Sequence, residues 1–149
     1  MAVIHVVRRF LGHTRFVPTP LYRLLVVGQV LAGVCQLTFG APASVSDNSP
    51  HYFDLAFCMM SFTAGALMLG GLYLVEANTT DPIKLHRSFS MELLGLVLLQ
   101  TVIAISVAGV LFQLGTPPTS GATWFQIMFW CWGWFRVHDL VRVIRLLGR

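Results

Sequence analysis

MELLGLVLLQTVIAISVAGVLFQL, residues 91–114, carries no charged side chain after Glu92. About 20 consecutive apolar residues suffice to carry a helix across roughly 30 Å of hydrocarbon, so this run reads as a transmembrane helix. Working outward, three more apolar stretches obey the same logic, at residues 21–40, 53–75 and 124–140. The expectation is an all-α, integral membrane four-helix bundle, with residues 1–149 forming one domain.

The basic residues set a direction. Arg8, Arg9, Arg15 and Arg23 lie before or at the start of the first stretch, and Lys84 and Arg87 lie between the second and third. Arg136, Arg142, Arg145 and Arg149 end the chain, while segments 41–52 and 115–123 hold no Lys or Arg. Cytoplasmic loops carry the excess of Lys and Arg, so the expected threading has both termini cytoplasmic. Composition agrees: 56% of residues are hydrophobic, 11% are charged, and the mean hydropathy is +0.73. Soluble domains carry about 25% charged residues. The net charge of +4 suits a bilayer with anionic headgroups. The basic residues are divided among segments that flank apolar spans, which argues against nucleic acid as a partner.

Residues 2–11 are broken by His5, Arg8 and Arg9, so they lack the continuous core of a signal peptide. Val3, Val7 and Phe10 share one helical face and His5, Arg8 and Arg9 the other, which predicts a short amphipathic helix on the inner leaflet. Thr19 before Pro20 reads as an N-cap and first helical position.

Helix packing is expected to use small and amide residues. Gln29, Gly33 and Gln36 share a face of the first span. Ser61, Gly65 and Gly70 belong to the second, whose run TAGALMLGG (63–71) suits close backbone approach in lipid. Ser106 and Gln113 continue a broken polar stripe from Glu92 along the third. Such faces pack helices more readily than they line a water-filled path. The segment APASVSDNSPH (41–51) reads as a simple outer turn, with Asp54 just inside the second span near the outer boundary. The inner segment EANTTDPIKLHRSFS (76–90) reads as a loop, with a turn at Asp81-Pro82 and Ser88 or Ser90 capping the third span. Glu92 is the most deeply placed acid, and a buried ion pair with Arg87, or a pair with Arg23, is expected.

The last stretch, TWFQIMFWCWGWF (123–135), contains every Trp of the chain: Trp124, Trp130, Trp132 and Trp134. It is too short for about 30 Å of hydrocarbon before Arg136 interrupts it. The expectation is one long helix that continues through VHDLVRVIRLLGR (137–149) with a basic tail extended into the cytoplasm; either the span runs on through Arg136, which snorkels, or the helix tilts and thins the bilayer locally. The Trp residues together with Arg136, Arg142 and Arg145 form a candidate interface to lipid or a partner protein.

The chemical inventory is thin. No nucleophile elbow, zinc-protease, P-loop or dinucleotide motif occurs, so no catalytic residue, metal site or cofactor is expected and the chain reads as a non-enzyme. Cys35, Cys58 and Cys131 fall in different spans and form no CxxC pair.

PTPLYRLLVVGQVLAG (18–33), DPIKLHRSFSMELLGLV (81–97) and the Trp-rich, Arg-terminated fourth helix resemble small four-span membrane proteins of actinobacterial phages, some of them holin-like. That resemblance implies a protein that self-associates in the host cytoplasmic membrane and permeabilises it during lysis. Two alternatives stand beside it. One is a non-enzymatic accessory or regulatory protein docking on a larger membrane complex through the aromatic fourth helix. The other is a small-solute transporter, since size and layout are also similar to the DoxX family.

Overall fold

The computed structural model describes residues 20–47, 49–73, 81–115 and 118–147. The described chain is helical, with no strand among these residues. In order, its helices are α1 (Pro20–Phe39), the short α2 (Ala43–Ser46), α3 (His51–Tyr73), α4 (Pro82–Leu114) and α5 (Gly121–Leu147). The amphipathic helix expected in residues 2–11 and the Thr19 cap lie outside the described residues.

Three helices are long and apolar enough to cross a membrane: α1, α3 and α4. These are the helices of a membrane protein. The fourth, α5, is longer than α1 and α3 yet falls short in apolar character. Gln126 and the four Trp residues already make its first half less apolar than those spans, and Arg136, His138, Asp139 and Arg142 interrupt the rest.

Two expected boundaries move. The third apolar helix starts at Pro82 rather than near residue 91, because Asp81 is its N-cap: the carboxylate accepts from Ile83 N at 3.0 Å, and Pro82 takes the first turn. A carboxylate there satisfies an otherwise orphaned amide and meets the positive end of the helix dipole. Ser88 therefore caps nothing, and its hydroxyl donates instead to Gly71 O at 2.6 Å. The turn at residues 41–51 is also more built than expected. It holds α2, which Gln113 ties to α4 by donating to Ala43 O at 3.2 Å and to Asp47 at 3.0 Å. Asp54, in the first turn of α3, accepts from Ser49 at 2.9 Å.

The long helices pack as antiparallel neighbours in chain order, α1 on α3, α3 on α4 and α4 on α5. Glycines bring the backbones together. A β-carbon on Gly33 would stand 2.6 Å from Phe62 Cα, one on Gly71 2.7 Å from Glu92 N, and one on Gly95 2.7 Å from Ala64 O. In lipid, where apolar surface gains nothing by leaving the solvent, such close packing is the main attraction between helices. Gln29 adds an interhelical bond to Ser61 at 2.9 Å. The largest buried cluster joins Tyr22 and Val26 of α1, Ala64 and Met68 of α3, Leu96, Leu99 and Ile103 of α4, and Leu140 of α5.

The end helices are less enclosed. α1 and α5 share no extended packing and meet around Tyr22, whose ring lies 5.2 Å from that of Trp132. Outer faces carry Leu24, Leu31 and Phe39 on α1, and Trp124, Phe125, Trp134 and Phe135 on α5, all exposed.

Candidate functional site

Only one place in the described interior brings charged groups together, where α1, α4 and α5 converge. Glu92 sits on the α4 face that includes Leu85, Ser88, Leu96 and Leu99, a spacing of three and four residues that turns all of them inward. Arg136 occupies the corresponding inward stripe of α5 with Gly133, Leu140 and Val143. Tyr22, one turn into α1, points between them.

Both charges are almost fully enclosed, with Glu92 2% and Arg136 6% exposed. Arg136 donates to Glu92 Oε1 through Nε at 3.0 Å and through Nη2 at 2.8 Å. The Tyr22 hydroxyl donates to the same oxygen at 3.0 Å. The guanidinium carbon also stands 5.6 Å from the centre of the Tyr22 ring, so one side chain serves both as donor to the acid and as aromatic floor for the cation. Removing two charges from water is costly. Direct pairing with an added neutral donor is the arrangement that offsets that cost.

The cluster lies at one end of the packed helices. Tyr22 is close to the start of α1, and Gly71, against the Glu92 backbone, is close to the end of α3. From this level α4 and α5 run on beside each other, carrying Lys84, His86 and Arg87 on one and His138, Arg142 and Arg145 on the other, outside the buried cluster. Two turns toward the opposite end, Gln100 is buried between α4 and α5. Its amide rests on Gly133, where a β-carbon would overlap it, and Trp130 donates to its main-chain carbonyl at 3.1 Å.

The residues singled out from the sequence divide clearly. Gln29, Gly33, Ser61 and Gly65 meet across α1 and α3, and Gly70 faces the Met91 side chain. Gln36 and Ser106 are half-buried without belonging to the charge cluster. Glu92 is in a buried ion pair as expected, but its partner is Arg136. Arg87 and Arg23 are exposed. Arg87 is five residues from Glu92 on the same helix, about 140° around its axis, and cannot share the inward face. Arg136 correspondingly leaves the interface group: it is turned into the protein rather than snorkelling to a surface. Of the tryptophans, Trp124 donates to Pro118 O at 2.9 Å, while Trp130 and Trp134 meet edge to face at 5.9 Å.

The part that sequence reasoning missed was Tyr22. A signal existed in the combination of a span interrupted by an arginine and a single acid inside another span, since each needs the other in a low-dielectric interior. Nothing comparable marked the tyrosine.

No group of His, Cys, Asp and Glu among the described residues is arranged to hold a metal ion. The donors and acceptor of the cluster are turned on one another, an arrangement that holds helices together. Searches among family models, curated proteins and solved structures return no match to this chain.

Proposed function

We propose that this chain is a multi-pass protein of the bacterial cytoplasmic membrane that crosses it four times, with both termini inside, and that it acts by self-association to permeabilise that membrane, as a holin does. The observation that carries this reading is the open row of helices. α1 rests on α3 and α5 rests on α4, while among the described residues the two end helices share no extended packing and meet at Tyr22. Each therefore presents a long apolar flank, with Leu24 and Leu31 on one and Trp124, Met128 and Phe135 on the other. Joining the α5 flank of one copy to the α1 flank of the next is a head-to-tail contact, and repeating it either closes a ring or extends an array.

The small-residue faces of α1 and α3 are consumed inside the chain, since Gly33 and Gly65 already abut Phe62 and Val30. Association through the outer flanks of the end helices is thus the form of the reading that fits. Inducible expression with a membrane-potential dye tests it. Expression alone collapses the potential, and bulky polar replacements at Leu31 or Phe135 prevent the collapse while the protein still accumulates. A cell that keeps its potential and viability at full expression sinks the proposal.

One observation favours the accessory reading: five large aromatic side chains, Trp124, Phe125, Trp132, Trp134 and Phe135, stand exposed along α5. On that reading these rings dock on a larger membrane complex. Purification in mild detergent separates the two, giving a homo-oligomer in the first case and a stoichiometric second protein in the other.

A further inference from the structure

α5 is the longest described helix after α4, and it is the one long helix that is not apolar enough to cross a membrane by composition. Its uncharged part ends at Phe135. Arg136 lies about 22 Å along the helix from Gly121, so a slab of about 30 Å that begins at Gly121 includes it. An arginine carried alone into hydrocarbon resists insertion strongly enough to shift the equilibrium by roughly tenfold or more. α4 has no such difficulty, because its long apolar run qualifies it as a span with Glu92 in place.

The fold supplies the missing partner in advance. Glu92 is on the neighbouring helix and earlier in the chain, and its Oε1 takes two donors from Arg136 and one from Tyr22. Tyr22 comes from a helix earlier still, and its ring forms one wall against the guanidinium. The receiving site for Arg136 is thus made by helices that are apolar enough to insert unaided.

We propose that α5 is a conditional membrane span, whose insertion depends on Glu92 as the intramembrane receptor for Arg136. This rests on the reading that all four long helices cross. The chain then has two membrane forms: a three-span form with α5 at the outer surface, and a four-span form in which Arg136 has found Glu92. Passage between them moves the C-terminal end from one side to the other, and it creates the α5 flank invoked above for association.

The test fuses reporters after Arg149 of the full chain, in parallel: alkaline phosphatase, active only outside, and a fluorescent protein, fluorescent only inside. The wild-type chain gives fluorescence and a silent phosphatase. Glu92→Ala shifts the ratio of the two signals by roughly tenfold toward phosphatase. Adding Arg136→Leu to Glu92→Ala restores the wild-type ratio, which a chain that merely misfolds without Glu92 would not do. Arg87→Ala leaves the ratio unchanged. A wild-type C-terminus found outside overturns the four-span reading. A wild-type C-terminus inside, with Glu92→Ala also inside or with no restoration by Arg136→Leu, overturns the conditional span and leaves that reading standing.

Discussion

Where α1 meets α3, glycines let two backbones touch, and a neutral bond from Gln29 to Ser61 crosses the seam. Where α4 meets α5, an ion pair, the Gln100 amide and the Trp130 ring fill the space instead. The first seam joins two helices that each qualify as spans alone, so shape complementarity is sufficient. The second joins a qualifying helix to one that buries an arginine in the protein, so charge has to be satisfied before shape matters. Packing sets one contact and electrostatics the other, and substitutions on the two sides are expected to behave differently.

The largest effect belongs to the charged seam. Glu92→Ala or Arg136→Ala alone leaves a buried charge without its partner and is expected to lower stability by about 3–5 kcal/mol, read from unfolding in mild detergent. Arg87→Ala, at an exposed position of the same helix, is the matched control and stays within about 0.5 kcal/mol of wild type. An equal loss from Arg87→Ala would erase the distinction between the seams.

On the small-residue seam, Gly33→Leu forces a side chain against Phe62, where even a β-carbon stands 2.6 Å from Cα. Overpacking of this kind costs about 3 kcal/mol, and cysteine cross-linking between α1 and α3 would show the helices moved apart. Unchanged stability and cross-linking would mean that the two backbones are not in contact.

Tyr22→Phe is milder, because it keeps the ring beside Arg136 and removes only the hydroxyl donated to Glu92. A hydrogen bond to a charged group is worth about 2 kcal/mol, so this variant should unfold earlier than wild type yet later than Tyr22→Ala. The smallest change is Ser61→Ala. Interhelical hydrogen bonds in membranes average about 0.6 kcal/mol, so losing the Gln29 contact should barely move the unfolding midpoint.

The same contrast explains how much could be read from the chain alone. Apolar length marks α1, α3 and most of α4, because a span must exclude charge over about 20 residues whatever its neighbours are. Gln29, Gly33, Ser61 and Gly65 were legible as packing residues for a related reason: helical spacing puts small side chains on one face before any tertiary contact forms. The true start of α4 was hidden because Asp81-Pro82 suits a turn as well as an N-cap and first helical position, and the dipeptide alone does not decide between them. The partner of Glu92 was hidden because pairing depends on rotation about two separate helix axes. Proximity along the chain favoured Arg87, which the helical turn places on the wrong side, while Arg136 is distant in sequence and adjacent in space.

The account stands on Glu92 and Arg136 acting as one unit inside the protein. A double-mutant cycle measures this directly, comparing Glu92→Ala, Arg136→Ala and the double variant with wild type by reversible unfolding in mild detergent or bicelles. Coupled buried charges make the double variant less damaged than the sum of the single ones, with a coupling of about 2–3 kcal/mol expected here. Additive losses, with coupling under about 0.5 kcal/mol, would contradict the account.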